Sequence, residues 1–185
     1  TNTIALQEQL YHKEVPFLKQ CLEFDFPVAL SKGRSNYICM RRFEQYLKQS
    51  DNVSWTEKLF LAQLVHWLSF TEQGDKETLN LNKLEQQYWA SVASQTETCL
   101  GGQCSMFRHC YYMRNRKECE NSMLIITNHA LLLQNLKLEN QILPSYEHII
   151  IDEAHNLEDE ATRQFTDTID LEFMRKTAQH LLRSN

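Results

Sequence analysis

The sequence predicts an α/β protein in which a short parallel sheet is interrupted by a mainly helical, cysteine-bearing insertion. Three observations predict it. Two short apolar runs, residues 123–127 and 149–151, flank a helical stretch of about twenty residues, the length a right-handed parallel crossover requires. A third run, Phe26-Pro27-Val28-Ala29-Leu30, reads as a strand and stops at Ser31-Lys32-Gly33. Between that run and residue 123 the apolar residues recur at helical spacing, and Cys39, Cys99, Cys104, Cys110 and Cys119 all fall there.

The elements follow in order. Leu6, Leu10 and Phe17-Leu18 predict two helical pieces divided at Pro16, which suits the first turn of the second. Ser54 and Glu57 form a capping box, so a helix starts there. Phe60, Leu61, Leu64, Val65 and Leu68 share one of its faces, and Gly74 is expected to terminate it. Residues 75–98 read as helix or loop, with Leu81, Leu84 and Tyr88 at helical spacing. After the strand at 123–127 come Asn128-His129, a helix through Leu131-Leu132-Leu133 and a loop at Pro144-Ser145. The strand Ile149-Ile150-Ile151 follows, and Asp170 opens a last helix with Leu171, Met174 and Leu181 on one face.

With 185 residues the chain has room for one full core and a small satellite. Hydrophobic residues are 42% and charged residues 23%, the balance of a globular protein rather than a disordered one. No run approaches the roughly 20 apolar residues of a membrane span, and the start, Thr1-Asn2-Thr3-Ile4, lacks the basic and apolar regions of a signal peptide. That start reads as cut into a domain, so a fragment of a longer protein is expected. The net charge of −5 argues against nucleic acid, but its distribution does not. Residues 31–42 carry Lys32, Arg34, Arg41 and Arg42 with no acid; residues 99–117 carry Arg108, Arg114, Arg116 and Lys117, again with none. These are either anion-facing surfaces or ordinary solvated faces.

Asp152-Glu153-Ala154-His155 directly follows the run 149–151. A buried strand ending in two carboxylates sits where open parallel sheets bind ligands. There one carboxylate holds magnesium through water and the other orients a water against a phosphate. The bland alternative is a strand followed by a solvated acidic turn.

Cys99, Cys104 and Cys110 form a compact C-x4-C-x5-C group, with Gly101-Gly102 letting the backbone fold tightly between them. Such spacing in a cytosolic protein favours metal over disulfides. The fourth ligand is Cys39 or Cys119, and the metal is zinc or iron–sulfur; spacing leaves both choices open. Cys21, on an apolar helical face, is an ordinary buried thiol by expectation.

Taken together, these segments resemble the DinG branch of the XPD-like, iron–sulfur superfamily 2 DNA helicases. Residues 1–10 look like motif Ia; Lys32-Gly33-Arg34-Ser35-Asn36-Tyr37-Ile38-Cys39 looks like the segment with the first cluster cysteine. Cys99, Cys104 and Cys110 match the other three. Thr127-Asn128-His129-Ala130-Leu131-Leu132 resembles the segment after the cluster, and Asp152-Glu153-Ala154-His155 resembles the DEAH box.

The resemblance implies a partial RecA-like parallel sheet that lacks its Walker A strand, with a mainly helical 4Fe–4S insertion. Residues 1–30 and 121–157 would belong to helicase domain 1, residues 31–120 to the cluster domain and residues 158–185 to the start of an Arch-like helical insertion. It implies Cys39, Cys99, Cys104 and Cys110 as cluster ligands. It also implies an ATP-dependent, 5′ to 3′ DNA helicase of the cytoplasm, acting in DNA repair on single-stranded DNA and forked or looped duplexes, as a monomer and without a membrane. Asp152 would bind Mg2+ and so ATP, Glu153 would be the general base, and His155 would link the nucleotide to the DNA-facing surface. Thr3, Arg34, Tyr37, Arg108, Tyr112, Arg114, Arg116 and Lys117 would face DNA through phosphate contacts and base stacking. The cluster would staple a small domain without a large core of its own. No Gly-Lys-Ser or Gly-Lys-Thr phosphate loop occurs, so this chain alone would be inactive. The alternatives are a zinc-stabilised, non-catalytic nucleic-acid-binding module using Cys99, Cys104, Cys110 and Cys119, and a translocase or nuclease-associated ATPase on the same scaffold.

Overall fold

The structure, a computed structural model, describes residues 1, 3–49 and 53–166. Its sheet has two parallel strands, β1 (Val28–Leu30) and β2 (Leu124–Ile126), in the register Val28–Leu124, Ala29–Ile125, Leu30–Ile126. The Met123 amide donates to the Pro27 carbonyl at 2.9 Å and the Ser31 amide to the Ile126 carbonyl at 2.8 Å, extending the ladder at both ends. Everything between residues 31 and 123 is thus one long excursion from adjacent strands. Parallel neighbours require such a crossover because the chain must return to the starting edge.

Before β1 runs an almost unbroken helix, α1 (Ile4–Gln9), a π turn (Leu10–Glu14) and α2 (Val15–Leu22). The expected division at Pro16 is therefore a π bulge, not a break. Proline lacks the N–H that would bond four residues back, and the Val15 amide reaches five residues back to the Leu10 carbonyl.

The excursion contains α3 (Met40–Lys48), α4 (Trp55–Leu68), α5 (Lys83–Val92) and α6 (Tyr111–Glu120). Both α4 and α5 begin with capping boxes, Ser54/Glu57 and Asn82/Glu85. Their buried faces meet α3 in a core of Ile38, Phe43, Phe60, Leu61, Leu64, Trp67, Leu79, Trp89, Val92 and Ala93. Trp67 takes the place expected of Val65, which is 52% exposed. Helix α4 ends at Leu68, before Gly74. Gly74 instead marks a close approach: its φ is +64°, and a Cβ there would lie 2.3 Å from Cγ of Tyr111. The excursion, expected to lack a large core, holds the larger of the two buried apolar clusters among the described residues.

After β2, α7 (His129–Lys137) packs against α8 (Leu157–Phe165), and its Leu131 and Leu132 form a small core with Leu143. Asn135, fully buried, accepts hydrogen bonds from the Ile142 and Leu143 amides at 2.9 Å and so shapes the return loop. The strand expected at 149–151 does not form, and Ile150 is 90% exposed. A strand is stable only when its backbone groups find a ladder, and among the described residues β1 and β2 pair only with each other. The helix expected from Asp170 lies outside the described residues.

Candidate functional site

Asp152 and Glu153 sit on an exposed turn rather than at the end of a buried strand. Glu153 is left-handed, with φ 54° and ψ 40°, and a short 3-10 turn (Ala154–Asn156) leads from it into α8. Its carboxylate lies 3.3 Å from His155 Nε2. The turn is tied to the end of the sheet by His129, whose Nε2 is 2.8 Å from the Asp152 carbonyl oxygen. Asp152, Glu153 and His155 are therefore brought together, with both carboxylates open to solvent. Two exposed carboxylates on one turn suit a divalent cation and a polarised water, provided that phosphates are brought to them.

The cysteines fall into two groups. Cys39 caps α3, Cys110 precedes α6, and Cys99 and Cys104 bracket the 3-10 turn Gly101–Gln103. Gly101 takes φ +53°, which glycine adopts without strain. Partial burial pushes the Cys99 thiol up, but the Gly101 amide, Arg34 and Arg41 outweigh it and hold it below its ordinary value. Burial raises the Cys110 thiol, and neighbouring Cys39 and Cys99 add to that. These three sulfurs thus share one electrostatic neighbourhood beside two arginines. Cys119 lies at the other end of α6, about 13 Å from Cys110 at 1.5 Å per residue, and is buried with its thiol near Asn115. It is not placed to join the other sulfurs. Among the described residues no three His, Cys, Asp or Glu side chains stand close enough to hold one metal ion. A donor set of thiols alone, Cys39, Cys99, Cys104 and Cys110, has the chemistry that a zinc ion or an iron–sulfur cluster requires. Cys21 is exposed rather than buried.

The residues expected to face DNA divide sharply. Arg108, Arg114 and Lys117 are exposed and Arg116 partly so. Tyr37 and Tyr112 are 3% and 6% exposed and meet edge-on at 5.9 Å, so their rings are not open to stacking on a base. Arg34 lies over the Tyr112 ring at 4.0 Å and Arg114 over Tyr111 at 4.9 Å. Thr3 is exposed, but its hydroxyl already accepts from the Leu6 amide as the cap of α1.

Sequence reasoning missed four residues. Lys32, counted only as part of a basic run, is buried with its ammonium paired to both Glu8 and Asp75. Asp75 also receives the Glu77 amide at 3.1 Å. The trio joins α1 to the loop after α4. His129 had a place in a motif but no role. Each partner lies far along the chain, so no local pattern could reveal the contacts.

Comparison with known proteins sets this geometry in context. The family described as DEAD_2 matches residues 21–172. The chain is 32% identical over 169 residues to ATP-dependent DNA helicase YoaA of Escherichia coli (strain K12), covering 89% of this chain and 27% of that protein. It is 32% identical over 180 residues to ATP-dependent helicase DinG of Mycobacterium tuberculosis (strain ATCC 25618 / H37Rv), covering 88% of this chain and 27% of that protein. It is 33% identical over 166 residues to 3'-5' exonuclease DinG of Bacillus subtilis (strain 168), covering 85% and 17%. The chain therefore spans about a quarter or less of the length of these relatives. Among the described residues no helix is long and apolar enough to cross a membrane.

Proposed function

The chain belongs to the DEAD_2 family, and from that premise we propose that it is part of an ATP-dependent DNA helicase. The single observation that carries the reading is the span of the similarity. It runs through the cysteine segment and the Asp152–His155 turn and matches relatives named ATP-dependent helicases, one of them an ATP-dependent DNA helicase, over nearly the whole chain.

On this reading Asp152 holds Mg2+ through coordinated water, and Glu153 orients and deprotonates the water that attacks the terminal phosphate of ATP. His155, against Glu153, links that site to the DNA-facing surface. Phosphoryl transfer depends on positioning and charge neutralisation, so groups outside this chain must cradle the phosphates. Cys39, Cys99, Cys104 and Cys110 are the residues that would hold a 4Fe–4S cluster, whose iron would bond their thiolates and so cross-link α3, the 99–104 loop and α6. Arg108, Arg114, Arg116 and Lys117 contact DNA phosphates, while Tyr37 and Tyr112 support that surface from within. The motor moves 5′ to 3′ along single-stranded DNA in the cytoplasm, opens forked or looped duplexes, and serves DNA repair as a monomer.

The test is Glu153→Gln in the full-length protein. DNA binding should persist while ATP hydrolysis is lost; near-normal hydrolysis overturns the assignment. A second reading, a nuclease-associated ATPase on the same scaffold, draws support from the printed name of the Bacillus subtilis relative. Strand displacement by the full-length protein separates the two.

A further inference from the structure

We propose that His129 is a positioning residue for the Asp152–Glu153 turn, holding the peptide between them so that Glu153 keeps its left-handed backbone. The inference rests on the hydrolytic reading above and names a residue that reading did not use.

Two independent observations meet at one peptide plane. The first is conformational: Glu153 has φ 54°, a region that a side chain with a Cβ enters at a cost. Such conformations persist only where the surroundings over-determine them. The second is the hydrogen bond of 2.8 Å between His129 Nε2 and the Asp152 carbonyl oxygen. That carbonyl belongs to the peptide whose nitrogen is Glu153's, and φ of Glu153 is rotation about the bond leaving that nitrogen. Fixing the carbonyl fixes one side of the unusual torsion. The Asn156 amide closes the turn from the other side, donating to the Glu153 carbonyl at 3.0 Å.

The ring is well anchored. His129 is 2% exposed and opens α7, and its own amide donates to the Thr1 carbonyl at 2.8 Å. Asn128 caps the same helix end through the Leu131 amide at 2.9 Å. A carbonyl oxygen only accepts, so Nε2 carries the proton. Nδ1 is buried and meets no partner, so a proton there would be stranded without an acceptor. With residues 149–151 outside any ladder, this bond connects the carboxylate turn to the start of α7, just after β2.

The experiment compares His129→Phe and His129→Gln with wild type in the full-length protein. Phenylalanine keeps a ring and removes the donor; glutamine keeps an N–H donor. His129→Phe should lower kcat for ATP about tenfold, the value of one lost hydrogen bond in a rate, and leave KM for ATP and the DNA dissociation constant within about twofold. His129→Gln should recover most of the loss. An unchanged kcat in His129→Phe overturns the proposal, as does equal impairment of both variants with KM for ATP rising and DNA binding weakening alongside. A wild type without ATPase overturns the hydrolytic reading instead. A readout free of activity, and of any variant's failure to fold, is the tautomer of His129 in the wild-type chain by imidazole nitrogen NMR. A proton on Nε2 supports the bond; a proton on Nδ1 with Nε2 bare overturns it.

Discussion

Replacing Lys32 with methionine removes an ammonium whose side chain is 2% exposed while leaving a hydrophobic stem of similar length. Asp75, 3% exposed, then keeps a buried carboxylate with no counter-charge, whereas Glu8, 32% exposed, turns to solvent. Breaking one partner out of a buried ion pair costs about 3–5 kcal/mol, because the remaining charge is stranded. At roughly 2–4 °C per kcal/mol for a chain of this size, the Tm should fall by about 6–20 °C, read by far-UV circular dichroism. Asp75→Asn removes the stranded charge, so the double variant should recover part of the loss, with a coupling on the order of 1–3 kcal/mol. The pH dependence has a definite sign. Burial works to lower the Lys32 pKa, but Asp75 and then Glu8 outweigh it, and the net shift is upward. A raised folded pKa gives stability that is complete below the ordinary lysine range and is lost as pH rises through the folded value. Lys32 should therefore stay protonated and leave the trio intact through neutral pH, and its deprotonation should weaken the trio in strong alkali. A Tm change under about 2 °C for Lys32→Met, or strict additivity in the double variant, would refute the reasoning.

Gly74→Ala should destabilise by about 2–4 kcal/mol, because a Cβ would strike the Tyr111 ring and φ +64° strains any residue bearing one; a urea melt measures it. On the cluster reading, Cys119→Ser should leave iron content and the broad absorbance near ~400 nm intact, whereas Cys104→Ser should lower both; loss of iron in Cys119→Ser would move the ligand set. Arg114→Ala combined with Arg116→Ala should weaken single-stranded DNA binding and reduce the slope of log affinity against log salt by about 1–2, and an unchanged slope removes both residues from the DNA path.

Local signals were legible wherever the chemistry is local. Ser54 and Glu57 announce a helix start because a capping box is complete within four residues, and the structure forms both of its hydrogen bonds. The run at 123–127 became β2, but its partner proved to be Val28–Leu30 rather than residues 149–151. Periodicity identifies a strand's faces and says nothing of which strand lies beside it. Ile149-Ile150-Ile151 shows the limit most clearly, since a β-branched run has the propensity for a strand and still needs a ladder. Tyr37 and Tyr112 show it again, because an aromatic among arginines reads alike whether its face is open or covered.

The sequence by itself determined the helices, the cysteine group, the order of the segments and the family they resemble, because each depends on residues a few positions apart or on their order along the chain. Only the tertiary structure decided that Lys32 is buried between Glu8 and Asp75 and that His129 reaches the Asp152 carbonyl. Those pairings join positions tens of residues apart, where burial and geometry, not spacing, select the partner.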